Sequence, residues 1–268
     1  MRNPLIKRLP RELKGDIGKY LVIFLFMTML ISLVSGFLVA DNSVYDAYEK
    51  GFEKYNVEYA DFVTADEMSD ETIKELENDN KVRIYDQRYY KLKESKRNAT
   101  IRVYGERKEV NKLCIMSGRL AKADDEITLD RVFAKNNDYK VGDNIKIGDK
   151  DYKITGFVAM PDYSCLFEDN ADMMFDSVNF GVASMTDSCI KKLKKSKLNY
   201  CYAMRYNKKP KSDKEQKNMS DDFLKSLAKK AAVTSYIPRC ENKAINFTGD
   251  DMGGDKAMFI LFDYIVIA

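Results

Sequence analysis

The chain has 268 residues, with 45 Lys and Arg against 42 Asp and Glu and no His. The missing imidazole removes Ser-His-Asp and Cys-His catalysis and His-based zinc sites. Residues 1–19 hold six basic and two acidic groups while the remainder sums to −1, so the basicity is a membrane-topology and headgroup signal, not a nucleic-acid footprint.

Leu5, Ile6, Leu9, Leu13 and Ile17 recur at three- and four-residue steps, which predicts an amphipathic elbow helix over 1–19 along the inner membrane surface. Pro10 and Glu12 suit a helical first turn, whereas Pro10 and Gly15 limit helix length and leave a disordered basic leader as the alternative. Tyr20 to Ala40 then runs without a charged side chain. About 20 residues at about 1.5 Å each are needed to cross a bilayer, so this run is predicted to span it. A cleaved signal peptide has a shorter apolar core and small residues at its cleavage site, where Leu38 here is bulky. Basic flanks before the run and Asp41, Asp46 and Glu49 after it place the N-terminus in the cytoplasm and everything from about residue 41 outside. Within the run, Thr28, Ser32, Gly36 and Ala40 fall four apart and form a small-residue face; Thr28, Ser32 and Gly36 are the candidate helix-packing positions.

Ser43 to Asn56 reads as a charged helix continuing outward, Val57 to Ala65 as an alternating strand, and Ser69 to Asn78 as a helix with Ser69 as N-cap. Val82 to Lys93 and Thr100 to Gly105 supply two strands around the turn Glu94 to Asn98. Residues 116–167 differ in texture: short runs at Glu126 to Leu129, Asn144 to Ile147 and Asp151 to Val158 are punctuated by Gly142, Gly148, Gly156 and Pro161. They predict an inserted β-rich lobe with a tight hairpin following Gly148. Phe180 to Met185 resumes as a strand, Asp187 to Lys197 as a helix capped by Asp187 or Ser188, and Tyr200 to Tyr206 as a strand. Lys208 to Asn218 reads as an exposed Lys-rich loop and Asp221 to Ala232 as a last helix. Strand, helix and strand on either side of the insert predict a split α+β lobe whose sheet takes chain from both sides. Residues 257–268 turn apolar again for twelve residues and contain Asp263, too short to cross a bilayer and read as the start of a second span.

Chemistry is sparse. No C-x-x-C, Walker A or G-x-G-x-x-G spacing occurs, and Asp250, Asp251 and Asp255 around Gly253-Gly254 lack the alternate ligands and distal Glu of a calcium loop. Asp124-Asp125-Glu126 and Asp221-Asp222 read as solvated turns or helix starts. Five cysteines at irregular spacing read as buried thiols more readily than as a disulfide framework. No catalytic, cofactor-binding or metal-ligating residue is expected, and no enzyme activity.

Arg11-Glu12-Leu13-Lys14, Gly118-Arg119, Glu126-Ile127, Ala134, Val141-Gly142-Asp143 and Ile154-Thr155-Gly156, set in this order of elements, make the chain resemble the N-terminal part of a MacB/FtsX-type ABC transporter permease. The resemblance implies an α+β fold: a transmembrane helix over 20–40, then an extracytoplasmic MacB-like core domain over 41–256 with a porter-like lobe and an inserted β-rich lobe. A truncated second span over 257–268 would follow. It further implies coupling of cytoplasmic ATP hydrolysis to movement of that domain, for export or mechanotransmission. The implied partners are a cytoplasmic ABC ATPase subunit, other permease helices or a second permease copy, and the lipid bilayer of the cell membrane, with no nucleic acid. The rival reading is a single-pass, membrane-anchored sensor or binding domain without transport activity.

Overall fold

The computed structural model describes residues 14–193 and 197–267. Most of the predicted elbow helix, with Leu5, Ile6, Leu9, Pro10, Leu13 and the Arg11-Glu12-Leu13 part of the pre-span motif, lies outside the described residues, as does Ala268. The chain divides into two compact units, one of residues 1–48 with 249–268 and a larger one of residues 49–248.

Helix α1 (Ile17–Lys54) begins as the apolar run and continues without a break into the charged segment after it, as the sequence predicts. Nothing in its sequence stops it, since it contains no Pro and its Gly residues at 18, 36 and 51 only weaken a helix by about 1 kcal/mol each. Ile17–Phe37 is long and apolar enough to cross a membrane by length and composition, with a mean hydropathy of 2.3. The last helix, α6 (Lys243–Ile267), absorbs Asp250, Asp251, Gly253, Gly254 and Asp255, so these residues form no loop. A Cβ at Gly249 would stand 2.8 Å from the Tyr48 ring, which makes glycine the residue that lets α6 and α1 approach there.

The larger unit is a mixed α+β body. Its strands are β1 (Ala60–Thr64), β2 (Val82–Asp86), β3 (Tyr89–Lys93), β4 (Thr100–Tyr104), β5 (Cys114–Gly118), β6 (Glu126–Asp130), β7 (Asn144–Ile147), β8 (Lys150–Ala159), β9 (Phe180–Ser184), β10 (Leu198–Tyr206) and β11 (Val233–Pro238). Between them lie helices α2 (Asp70–Asn80), α3 (Arg131–Asn136), α4 (Asp187–Lys192) and α5 (Asp213–Lys230). The strands join in the order β11-β1-β10-β3-β4-β9-β6-β8-β5, with β2 also on β10 and β7 on β8. The two ends of the unit therefore share one sheet region: β1 and β2 from the start pair with β10 from the end, and β11 pairs with β1 from Ala60↔Pro238 onward.

Two hydrophobic cores follow. Tyr59, Phe62, Leu76, Val82, Tyr202, Met204, Phe223 and Leu227 form the first, under α2 and α5. The second, around Ile101, Val103, Ile127, Leu129, Phe133, Ile154 and Val182, draws on residues from Tyr89 to Cys201 and so reaches well beyond residues 116–167. The single strand read over Val82 to Lys93 divides because Arg88 N–H donates to Asp86 Oδ1 at 3.0 Å and turns the chain; β2 and β3 then follow one another along β10. The Lys-rich stretch is irregular only as far as Ser212: α5 begins at Asp213, where Ser212 accepts from Glu215 N–H, a Ser-x-x-Glu signature missed within the lysines. Helix α4 is capped by Thr186, not by Asp187 or Ser188, and ends at Lys192. Ser69 caps α2 as expected, accepting from Thr72 N–H.

Those motifs of the family resemblance that fall between residues 118 and 156 meet around β5, β6 and β8 as scaffolding. Gly118, with φ +68°, and Gly156 let β5 and β8 touch: a Cβ at Gly118 would lie 2.3 Å from Thr155 O, and one at Gly156 2.4 Å from Arg119 O. Arg119 forks onto Glu126 at 2.7 and 2.5 Å and, with backbone N–H donors, holds that carboxyl down at about 2. Gly142 N–H donates to Ile154 O, Ile154 N–H donates to Asp143 O, and Ala134 is fully buried.

Candidate functional site

Strand alternation builds a site inside the larger unit. Along β1, Ala60 and Phe62 enter the first core while Asp61 and Val63 point the other way; along β4, Ile101 and Val103 are buried apolar and Arg102 and Tyr104 take the opposite face. Tyr89 and Lys91 of β3 and Ser235 and Ile237 of β11 add alternate positions to this face. A segment after β8 covers it, bringing Asp162, Tyr163, Phe167 and Glu168, and Asn242 and Ala244 close the wall. Together they enclose a cavity of about 260 Å³.

Its lining is heavily ionisable. Arg107 Nη1 donates to Asp162 Oδ1 at 2.6 Å, a pair almost withdrawn from solvent, and the Arg107 guanidinium lies 4.0 Å over the Tyr104 ring. Arg102 donates to Tyr163 Oη at 2.8 Å and to the Glu168 carbonyl, and it stacks 5.0 Å over Tyr89 and 5.3 Å over Phe180. Tyr104 and Tyr163 share a hydroxyl contact of 2.7 Å. Two carboxyls stand nearby, neither with an ion-pair partner among the described residues: Glu58 Oε2 accepts from Asn111 Nδ2 at 2.7 Å and Asp61 Oδ1 from Asn242 Nδ2 at 3.3 Å. Burial pushes the Glu58 carboxyl well up, helped by repulsion from Asp61 and Asp162. Burial likewise pushes Asp61 up to about 7, against the pull of Arg102 and with repulsion from Asp162. Gln87 Oε1, Arg102 Nε and Arg107 Nε are buried without a hydrogen-bond partner among the described residues.

Buried carboxyls with raised pKa values at a cleft mark a place that binds or handles charge. Among the described residues no group of His, Cys, Asp or Glu converges as a metal cage. Sequence reasoning missed this cavity because Asp61, Arg102 and Asp162 lie on three separate segments, and polar positions alternating with apolar ones suit a solvated strand face as well as a covered one. The only available signal was an arginine and an aspartate at the centres of two predicted strands.

The helix-packing positions lie elsewhere. Thr28, Ser32 and Gly36 are all exposed on α1; Thr28 donates to Phe24 O at 2.7 Å, and nothing stands within 4 Å of a Cβ built on Gly36.

The fold thus defines a mixed α+β protein with an N-terminal apolar helix and a polar cavity in its larger unit. The chain is similar to the periplasmic region of MacB from Actinobacillus actinomycetemcomitans, at 14% identity and a TM-score of 0.39, over 71% of this chain and 91% of that one. It is also similar to the extracellular domain of the ABC-type transporter YknZ from Gram-positive bacteria, at 12% identity and a TM-score of 0.36, over 65% of this chain and 97% of that one. No protein-family model and no curated protein matches the sequence. At scores of this size, function has to be argued from the chain's own residues.

Proposed function

We propose that this chain is the first membrane span and the extracytoplasmic domain of a MacB/FtsX-type ABC transporter permease. It would act as the lever, not the motor: a cytoplasmic ABC ATPase would drive the spans, and the larger unit would carry the movement outside the cell membrane for export or mechanotransmission. The chain itself would be non-catalytic.

The observation that carries this reading is the closure of the larger unit on its own two ends. β1 and β11 pair, Arg239 N–H donates to Tyr59 O at 2.7 Å, and the Arg239 guanidinium covers the rings of Tyr59 and Phe52 at 4.1 and 5.0 Å. Chain therefore arrives and departs at one place, flanked in sequence by an apolar helix before it and by α6, which turns apolar, after it. A domain carried between two successive spans needs its ends together in this way. The small-residue face at Thr28, Ser32 and Gly36 suits close approach by a neighbouring permease helix.

Cysteine crosslinking at those three positions in native membranes, with and without ATP hydrolysis, tests the proposal. Crosslinks to a neighbouring helix that change with turnover support it; contacts that stay the same reject it. Protease applied to intact cells should cut near Lys208 to Lys211, and protection of that segment would reverse the orientation. The polar cavity favours a second reading, a membrane-anchored sensor or binding module without transport activity. That reading predicts ligand binding with no ATPase recovered alongside the protein from native membranes.

A further inference from the structure

The cavity between β1, β3, β4 and the segment after β8 has charges that its own residues leave unmatched. Arg102 gives its hydrogen bonds to a phenol and a backbone carbonyl, and among the described residues no carboxylate is ion-paired with it. Across the same space Asp61 receives one long bond from an amide, and neither it nor Glu58 has an ion-pair partner among the described residues. Three buried atoms then want partners of both kinds: Gln87 Oε1 wants a donor, and Arg102 Nε and Arg107 Nε want acceptors. Gln87 itself is 8% exposed and lines the cavity. Leaving such groups unmade costs about 1–3 kcal/mol each, which makes their coincidence around one space informative.

We propose that this cavity binds a small zwitterion of the α-amino-acid class, its carboxylate turned to Arg102 and its ammonium to Asp61 and Gln87. The alternatives fit less well. A metal ion lacks a converging ligand set among the described residues. A simple anion would leave Asp61 with only its long bond from Asn242 and Gln87 Oε1 without a donor, and a simple amine would leave Arg102 without a carboxylate. A ligand with both charges and no net charge matches both walls and brings no uncompensated charge into a buried space, where such charge is expensive. The volume of about 260 Å³ lies just under the roughly 300–1,000 Å³ of sites for drug-sized ligands, so the occupant is small. Tyr89, Tyr104 and Phe167 give an aromatic wall for an ammonium or an apolar side chain. The inference does not depend on the permease reading, since a lever and a sensor could each carry such a site.

The test is equilibrium dialysis of the full chain in detergent against the twenty L-α-amino acids, read by mass spectrometry. Each amino acid is paired with its decarboxylated amine and its N-acetyl derivative. At least one amino acid should be enriched at least tenfold over its amine and its N-acetyl form. Enrichment should fall at least tenfold in Asp61→Asn and in Arg102→Gln. Because Arg102 is packed between rings, Ser235→Tyr serves as a second variant that fills the cavity and keeps every charge, and it should abolish enrichment with unchanged circular dichroism. No enrichment of any amino acid, equal retention of the amine or the N-acetyl acid, or retention unchanged in Ser235→Tyr would each overturn the proposal.

Discussion

The larger unit buries two kinds of interior on opposite faces of the same strands. Phe62 and Val103 point into cores made of apolar side chains, while their neighbours Asp61 and Arg102 point into a space lined by carboxyls, guanidiniums and phenols. The first kind stabilises by removing apolar surface from water, at about 25 cal/mol per Å². The second gains little net stability, because the desolvation of buried charges offsets their attraction. One face of the sheet thus carries most of the folding energy, while the other holds polar groups that add little to it.

This contrast can be broken or sharpened by substitution. The largest effect is expected in the apolar interior: Phe133 is fully buried against Gly181, and Phe133→Ala should cost about 3–5 kcal/mol in denaturant unfolding of the full chain. On the charged face, Arg107→Leu leaves Asp162 buried without its partner and should cost about 3 kcal/mol. The double change Arg107→Leu with Asp162→Leu should recover most of that loss. Recovery separates a pair kept for function from one kept for stability; no recovery would mean that the pair itself holds the covering segment in place.

Backbone geometry comes next. Gly118→Ala places a Cβ against Thr155 O at φ +68° and should cost roughly 1–3 kcal/mol, with loosening confined to β5 and β8 in hydrogen exchange. The pH dependence should divide the two interiors. Folded Asp61 holds its proton up to about pH 7, whereas an unfolded aspartate loses it near about 4. The folded state therefore binds more protons between these values, and the stability this group contributes is full below about pH 4 and lost as pH rises to about 7. Thermal unfolding should show lower stability at pH 8 than at pH 5, and Asp61→Asn should flatten the difference; a profile unchanged by that variant would remove Asp61 from the account. The smallest effect belongs to the surface fork, where Arg119→Ala should shift the unfolding midpoint least of these variants. Glu126 acts in the opposite sense to Asp61. Its lowered carboxyl stabilises above about pH 4.5, and that contribution is lost as pH falls to about 2.

Much of this molecule was legible in one dimension. The apolar run of α1, the Ser69 cap of α2 and the strands at residues 60–64 and 100–104 follow from local rules: hydropathy over about 20 residues, a side-chain cap and a period of two; β5 was not read as a strand, and Gly156, read as punctuation, lies inside β8. The misses were also local. The Ser212-x-x-Glu215 start of α5 was masked by lysines, and Thr186 caps α4 one residue before the position expected.

What lies over the polar face of these strands is what tertiary structure alone decided. Alternation determines which residues of β1 and β4 share a side, but the same pattern serves for solvent or for a covered cavity. The choice was made when the segment carrying Asp162, Tyr163 and Glu168, about 60 residues beyond Arg102 in the chain, folded across that side. Side-chain order along a strand is a property of its backbone; what lies above the strand depends on contacts between distant segments, which no local period encodes.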